Sequence, residues 1–297
     1  MTSDLIGSQV DGESRLEMMA PLARAYARSV PEHPTDDGLF GPQSPVWRVN
    51  RDRAFPLAGM RSLMVQALHP LAMAGVAEHS DWRRDPFGRL AATSGYVLTV
   101  TYGDTASANA AAARVRSVHR HVRGRDPVTG LAYSAEDPDL LLWVHAGMVD
   151  SIVHVVQRYG RGLGADEADH YVAEMVPFAV IVGVPPEIVP SSVHALRTYM
   201  QSVDLRQATP AAREAIDIVL DPPGLSPDLR ELWHDLGRVA IGTLPPWARE
   251  MYGFAEPPAA FMDREPVRQL IGAVDLMFES LPGVLEARER IELRSRG

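Results

Sequence analysis

The sequence contains no cysteine. Disulfides, iron–sulfur clusters, thiolate-ligated haem and cysteine nucleophiles are therefore all excluded. The N-terminal stretch beginning Met1-Thr2-Ser3-Asp4 has no basic segment followed by an apolar run, so no secretory signal is expected. No apolar run reaches the roughly 18 residues of a membrane span. The nearest stretch, Met175 to Val189, is broken by Pro177, Pro185 and Pro186. Gly-x-x-x-x-Gly-Lys, Gly-x-Gly-x-x-Gly and Gly-x-Ser-x-Gly are missing, which argues against kinase, dinucleotide and serine-hydrolase chemistry. There is no His-Glu-x-x-His, little strand-like alternation, no fixed-period repeat and no linker.

What is present points to helices. The 297 residues and 46% hydrophobic content suffice for one large domain or two small ones. The net charge of -9, from 29 basic and 38 acidic residues, suits a soluble, cytoplasmic protein and argues against general nucleic-acid binding. After a flexible stretch over 1–13, a first helix is predicted over 14–30, then a Pro/Gly-rich loop to Asn50. A helix from Leu57 to Glu78 is kinked or divided by Pro70. Further helices are predicted over 90–102, from Asp104 or Thr105 to Val122, over 138–159, and from Ala165 or Asp166 to Val182. The C-terminal third adds 193–203, 211–219, 226–242, 246–252 and 265–281. The segment Asp126–Asp137 reads as loop. The expected architecture is all-α, with 14–297 forming a single compact helical domain.

Two helices carry the chemistry. On one, Arg116, His119, Arg120 and Arg123 share a face by their three- and four-residue spacing. That face is either a solvated basic surface or a polar wall over a cofactor, a substrate carboxylate or oxygen. On the next, Leu142, His145, Val149, Ile152 and Val156 form an apolar stripe with His145 its single polar member. A buried neutral imidazole needs a partner for at least one nitrogen. His145 is thus either a hydrogen-bonded core residue or a metal ligand. Asp150 and His154, four apart on another face, read as a solvent pair. His119, His145, Glu174 and Asp150 could alternatively assemble a non-haem iron or zinc site across helices. His69 reads as a kink residue, Asp85 and Arg89 as loop organisers, and Glu174 as an arginine partner or an acid–base group.

Several segments, in order, resemble one family. They are Met64-Val65-Gln66-Ala67-Leu68-His69-Pro70, Ala74-Gly75-Val76-Ala77-Glu78-His79-Ser80, and Asp85-Pro86-Phe87-Gly88-Arg89-Leu90 with Thr93. Arg116-Ser117-Val118-His119, Tyr133-Ser134-Ala135, Trp143-Val144-His145 and Asp150-Ser151 follow. Tyr171 with Glu174, Gly183-Val184-Pro185 and Val189-Pro190 complete the set. Together, over roughly residues 50–200, they resemble the MpaB-type and rubber oxygenase catalytic domain. The resemblance implies an all-helical fold with a buried haem pocket between helices, haem b, and dioxygen as co-substrate. By that analogy His145 is the proximal iron ligand, and Arg116 and His119 belong to the distal, catalytic and cofactor-binding wall. Where rubber oxygenases have a lysine–threonine pair after the distal arginine, this chain has His119-Arg120. The implied activity is an oxidoreductase acting on an apolar or amphipathic organic substrate, such as by cleavage of a carbon–carbon double bond. The competing reading is a non-catalytic helical protein that binds a hydrophobic ligand, or a family member that does not retain haem.

Overall fold

Proline opens many of the helices, because its missing N–H is one the first turn leaves unpaired anyway. The computed structural model describes residues 19–296. The expected flexible segment 1–13, and the first residues of the helix predicted from Ser14, lie outside the described residues. Helix α1 (Ala20–Ser29) is followed by α2 (Pro45–Asn50), α3 (Phe55–Gln66), α4 (Pro70–His79), α5 (Pro86–Tyr102) and α6 (Thr105–His119). After a small hairpin come α7 (Pro138–Tyr159), α8 (Ala165–Glu174), α9 (Val176–Val180), α10 (Val193–Ser202) and α11 (Pro210–Leu220). Helices α12 (Pro227–Thr243), α13 (Pro246–Tyr252), α14 (Arg264–Glu279) and α15 (Val284–Arg296) complete the fold. Side chains of Ser44, Asp85, Asp104, Asp137, Ser192 and Thr209 accept backbone N–H groups at the starts of α2, α5, α6, α7, α10 and α11.

The predicted all-helical class holds, with local corrections. Pro70 divides the long helix, and α4 starts on it. Ser44 and Pro45 start a short helix inside the predicted loop. Asp85 caps α5 four residues earlier than expected from apolar spacing alone, by accepting from the Gly88 N–H at 2.8 Å. Helix α6 stops at His119 rather than Val122. The stretch predicted over 165–182 is two helices, α8 and α9, and α15 was not predicted at all. The loop from Asp126 instead contains half of an antiparallel hairpin, β1 (Arg123–Arg125) against β2 (Ala132–Ser134), with Gly124 opposite Tyr133. Asp126 holds its turn through the Thr129 N–H and hydroxyl at 2.7 and 2.6 Å. Buried Tyr133 anchors it to α4 through Glu78.

The centre of the fold is the crossing of α3 and α7. A Cβ at Gly147 would meet Gln66 and Val65 at 3.3 and 3.4 Å, so the small residue permits the close approach. The Trp143 indole N–H donates to the Gln66 carbonyl at 3.0 Å, and the Gln66 amide donates to the Val144 carbonyl at 3.0 Å. Helix α12 lies on α3, α10 and α14 on α7, and α1 on α5, with α6 packed beside α5. Helix α7 has 22 residues and a mean hydropathy of 1.4 over its best window, enough by length and composition to cross a bilayer. In this fold it is instead the core helix, with Trp143, Ala146, Val149, Ile152, Val153 and Val156 buried in protein. The apolar stretch after Met175, by contrast, is a short helix and a turn.

Arg61 sits inside this crossing, only 2% exposed. It pairs with Asp150 at 2.8 Å, donates to the Ser151 hydroxyl at 2.6 Å, and donates to the Thr243 carbonyl at 2.9 Å. This overturns the expected solvent pair of Asp150 with His154, since a desolvated guanidinium demands the carboxylate more strongly than an imidazole does. Removing one partner of such a buried pair typically costs about 3–5 kcal/mol.

His154 lies half-buried on the same helix. Burial foremost, and then the positive charge of Arg61, hold its pKa down from 6.5 to about 4, with Asp150 opposing and Arg158 and Arg197 assisting. The folded protein therefore keeps His154 neutral while the unfolded chain protonates it below 6.5. The associated stability is complete above pH 6.5 and is lost as pH falls towards 4. Urea unfolding at pH 7 and pH 5 should show wild type losing roughly 1–2 kcal/mol more than His154→Asn. Identical losses in the two proteins would refute this assignment.

Candidate functional site

His145 reaches its position because Leu142, Val149, Ile152 and Val156 bury the same stripe of α7. Its ring is 7% exposed, and its Nδ1 is buried with no hydrogen-bond partner. Burial pushes its pKa down to about 4, so the imidazole is neutral at physiological pH. The two readings of His145, a hydrogen-bonded core residue or a metal ligand, thus meet a ring with one buried, unpartnered nitrogen. The ring lies against Phe178 of α9, with centroids 6.1 Å apart.

Phe178 links His145 to α5. Tyr96 meets Phe178 edge-on at 5.5 Å, and the Tyr96 hydroxyl is also buried without a partner. Burial raises the Tyr96 phenol pKa, opposed by the nearby Arg116 guanidinium. Arg116 on α6 therefore belongs to the same cluster. Its guanidinium donates to the carbonyl of Ile181, the residue that ends α9. The side chain is exposed, so the cluster runs from an open cationic edge at Arg116 to the enclosed imidazole of His145.

His119 lies one turn further along α6 and is half-buried. Its Nδ1 has no partner. Burial foremost lowers its pKa, Arg89 adds to that, and Glu136 opposes it. His119 thus lies within the field of Arg89 on α5, while Arg116 lies near Tyr96 and bonds the end of α9. Arg89 donates to Thr93 on its own helix. His121 points away, its ring 3.0 Å from the Ser117 carbonyl.

Other expected residues take structural places. Glu174 accepts the Val46 N–H at 3.4 Å and makes no ion pair with an arginine among the described residues. Arg116 likewise pairs with neither Glu174 nor Asp150. With Asp150 held by Arg61 and Glu174 by α2, the non-haem set of His119, His145, Glu174 and Asp150 does not assemble. No group of three or more His, Asp or Glu placed to hold a metal exists among the described residues. His69 stands at the start of α4, buried, 5.8 Å from the Trp143 ring and with an unpartnered Nδ1. Tyr96 and Phe178 were missed by sequence reading. Both look like ordinary aromatic core residues until the unpaired hydroxyl and the His145 contact are seen.

His145 offers a neutral imidazole with one unpartnered ring nitrogen and an apolar neighbour in Phe178, a donor type that a metal can take without any thiolate. A family model described as the ER-bound oxygenase mpaB/B'/rubber oxygenase catalytic domain matches residues 47–275. The chain belongs to that family, and the match extends well beyond the 50–200 stretch legible from motifs. Comparison with curated proteins and with solved structures finds no match.

The unpartnered hydroxyl makes a test of the cluster. Tyr96→Phe removes a buried polar group that has nothing to bond, so the apoprotein should keep its stability or gain about 1 kcal/mol. Thermal unfolding of the variant decides the matter. A loss of stability larger than that gain would show that the hydroxyl is engaged in the folded protein.

Proposed function

We propose that this member of the family is a haem b-dependent oxygenase acting on an apolar or amphipathic organic substrate, with dioxygen as co-substrate. The observation that carries the reading is the buried, neutral His145 with no partner for Nδ1, set against Phe178 beside Tyr96 and Arg116. An unpartnered ring nitrogen on a neutral, buried imidazole leaves a lone pair or N–H free for a ligand. Haem held through His145 would supply the oxidative chemistry, including cleavage of a carbon–carbon double bond.

The chain's own residues then have defined tasks. His145 binds, and the apolar stripe of α7 keeps water from its ring. Arg116, at the open edge, stabilises negative charge that develops during oxygen activation, giving up the Ile181 carbonyl to do so. His119, kept neutral by burial and Arg89, can accept or return a proton. Tyr96 supplies a hydroxyl donor within the same cluster. Val118, Val144 and Val180 are exposed, at 61%, 41% and 38%, on the three helices that carry Arg116, His145 and Phe178. Apolar surface on those helices favours an apolar substrate. A cytoplasmic location and a lack of nucleic-acid partners accompany this reading, from the acidic charge balance. The second reading, a family member that binds a hydrophobic ligand without haem, is favoured by one fact: Arg116 already has an acceptor in Ile181.

Visible spectroscopy of protein produced with haem supplementation separates the two. Wild type and His154→Ala should keep a Soret band through dialysis, while His145→Ala should lose most of it. Arg116→Ala should keep the band and lose oxygen-dependent turnover, by about 100-fold or more. Equal haem content in wild type and His145→Ala rejects the ligand assignment, and a wild type that never retains haem supports the second reading.

A further inference from the structure

We propose that the chain has a second binding site, for an amphipathic carboxylate with an apolar body, in the cavity between α1, α3, α5, α12, α14 and α15. The cavity has a volume of ≈ 410 Å³. That lies within the roughly 300–1,000 Å³ typical of small-molecule pockets. Leu63, Leu98, Trp233, Leu236 and Phe278 give it an apolar lining.

It is separate from the His145 cluster. On α3, Gly59, Met60 and Leu63 line the cavity, while Arg61 and Val65 face α7 from the opposite side of the helix. On α5, Leu90, Ser94 and Leu98 line it, whereas Tyr96 lies on another face towards Phe178. Its walls also include Leu22 and Tyr26 of α1 and Arg288 of α15, which fall outside the family-matched residues 47–275.

Gly59 indicates that the space is kept open. It lies inside α3, where glycine is a poor helix former. Its backbone needs no left-handed conformation, and a Cβ added there would meet no atom within 4 Å. Neither close packing nor backbone geometry calls for glycine at this position. What the missing side chain does is leave room in the cavity it borders.

The charged lining selects the head group. Asp275, 2% exposed, is held by Arg53 at 2.9 Å and Arg288 at 2.7 Å, and Glu279 is held by Arg288 at 2.8 Å. Asp52 accepts the N–H groups of Ala54 and Arg161, both at 2.9 Å, and Glu292 pairs with Arg296 at 2.8 Å. Among the described residues two lining cations, Arg51 and Arg161, and two lining acids, Asp52 and Glu289, have no ion-pair partner, and Asp52 is already satisfied by its two backbone N–H donors. Arg51 donates to the Ser295 hydroxyl at 3.0 Å, but its Nε is buried with no acceptor. Arg51 and Arg161 both line this edge of the cavity, in the neighbourhood of Glu292. An anionic oxygen acceptor at that edge, with an apolar chain reaching Trp233 and Phe278, complements both parts of the lining.

The test is titration of the full chain with dansyl-labelled undecanoic acid and with the matching alcohol, followed by dansyl fluorescence. Wild type should bind the acid saturably and about tenfold or more tighter than the alcohol. Gly59→Trp, which fills the cavity, should abolish binding of both, and the smaller Gly59→Leu should weaken both. Arg51→Gln should weaken the acid about tenfold and leave the alcohol unchanged. His145→Ala should bind the acid as wild type does, which separates this site from the haem reading. Equal binding by wild type and the Gly59 variants, no preference for acid over alcohol, or loss of binding in His145→Ala overturns the proposal.

Discussion

Arginine closes the helix ends of this protein. All 29 of its basic residues are arginine, and many spend their donors on carbonyls that the last turn of a helix leaves unpaired. Arg268 reaches the Tyr159 and Gly160 carbonyls at the end of α7, at 3.2 and 2.7 Å. Arg213 closes α13 through Tyr252 at 2.8 Å, Arg294 closes α5 through Tyr102 at 2.7 Å, and Arg290 closes α1 through Ala27 at 3.0 Å. A guanidinium suits this work. It has five donors in a rigid fork, and its charge opposes the negative end of the helix dipole. Arg61 is the extreme case, because it closes α12 at Thr243 while holding Asp150 and Ser151 of α7 in the dry centre of the fold. The fold can thus stack many short helices without leaving their carbonyls bare.

That constraint frames the candidate site. Arg116 ends α9 at Ile181 as the other arginines end their helices, so its position is explained by architecture before any chemistry is invoked. His145 is the opposite case. Architecture explains its burial but leaves Nδ1 without a partner, and no arginine or carboxylate reaches it. The two residues therefore differ: the imidazole keeps an unpartnered nitrogen, and the guanidinium is engaged at a helix end. Tyr96 stands with His145 in this respect, since its hydroxyl is buried and idle.

The helices were largely legible because their signals are local. Caps such as Asp104, Ser192 and Thr209 sit beside apolar residues at helical spacing, and α13 was read to the residue. The stripe through His145 was legible for the same reason. The hairpin was not, because three-residue strands are too short for alternation to register, and its anchor is a long-range bond from Tyr133 to Glu78. Arg61 was hidden as well. A lone arginine among Leu57, Met60 and Met64 could have signalled a buried ion pair, but its partner lies in another helix and looked engaged by His154. Glu174 misled for the converse reason: an isolated acid suggested chemistry, and the backbone of α2 uses it.

The same two helices border both the His145 cluster and the cavity on their other side, and that has a physical consequence. Helix α3 shows Arg61 and Val65 to the His145 helix and Gly59 and Leu63 to the opposite cavity, while α5 shows Tyr96 to one and Leu98 to the other. Close-packed helices shift as rigid bodies more readily than they bend, so a guest that spreads the cavity side presses on the α3–α7 crossing. That crossing has little slack. Gly147 already sits near the limit of approach to Gln66, and the Arg61–Asp150 bond at 2.8 Å is surrounded by protein. Beside α5, in contrast, the Tyr96 hydroxyl and the His145 Nδ1 are buried without hydrogen-bond partners, so the packing there is not pinned by polar contacts as the α3–α7 crossing is.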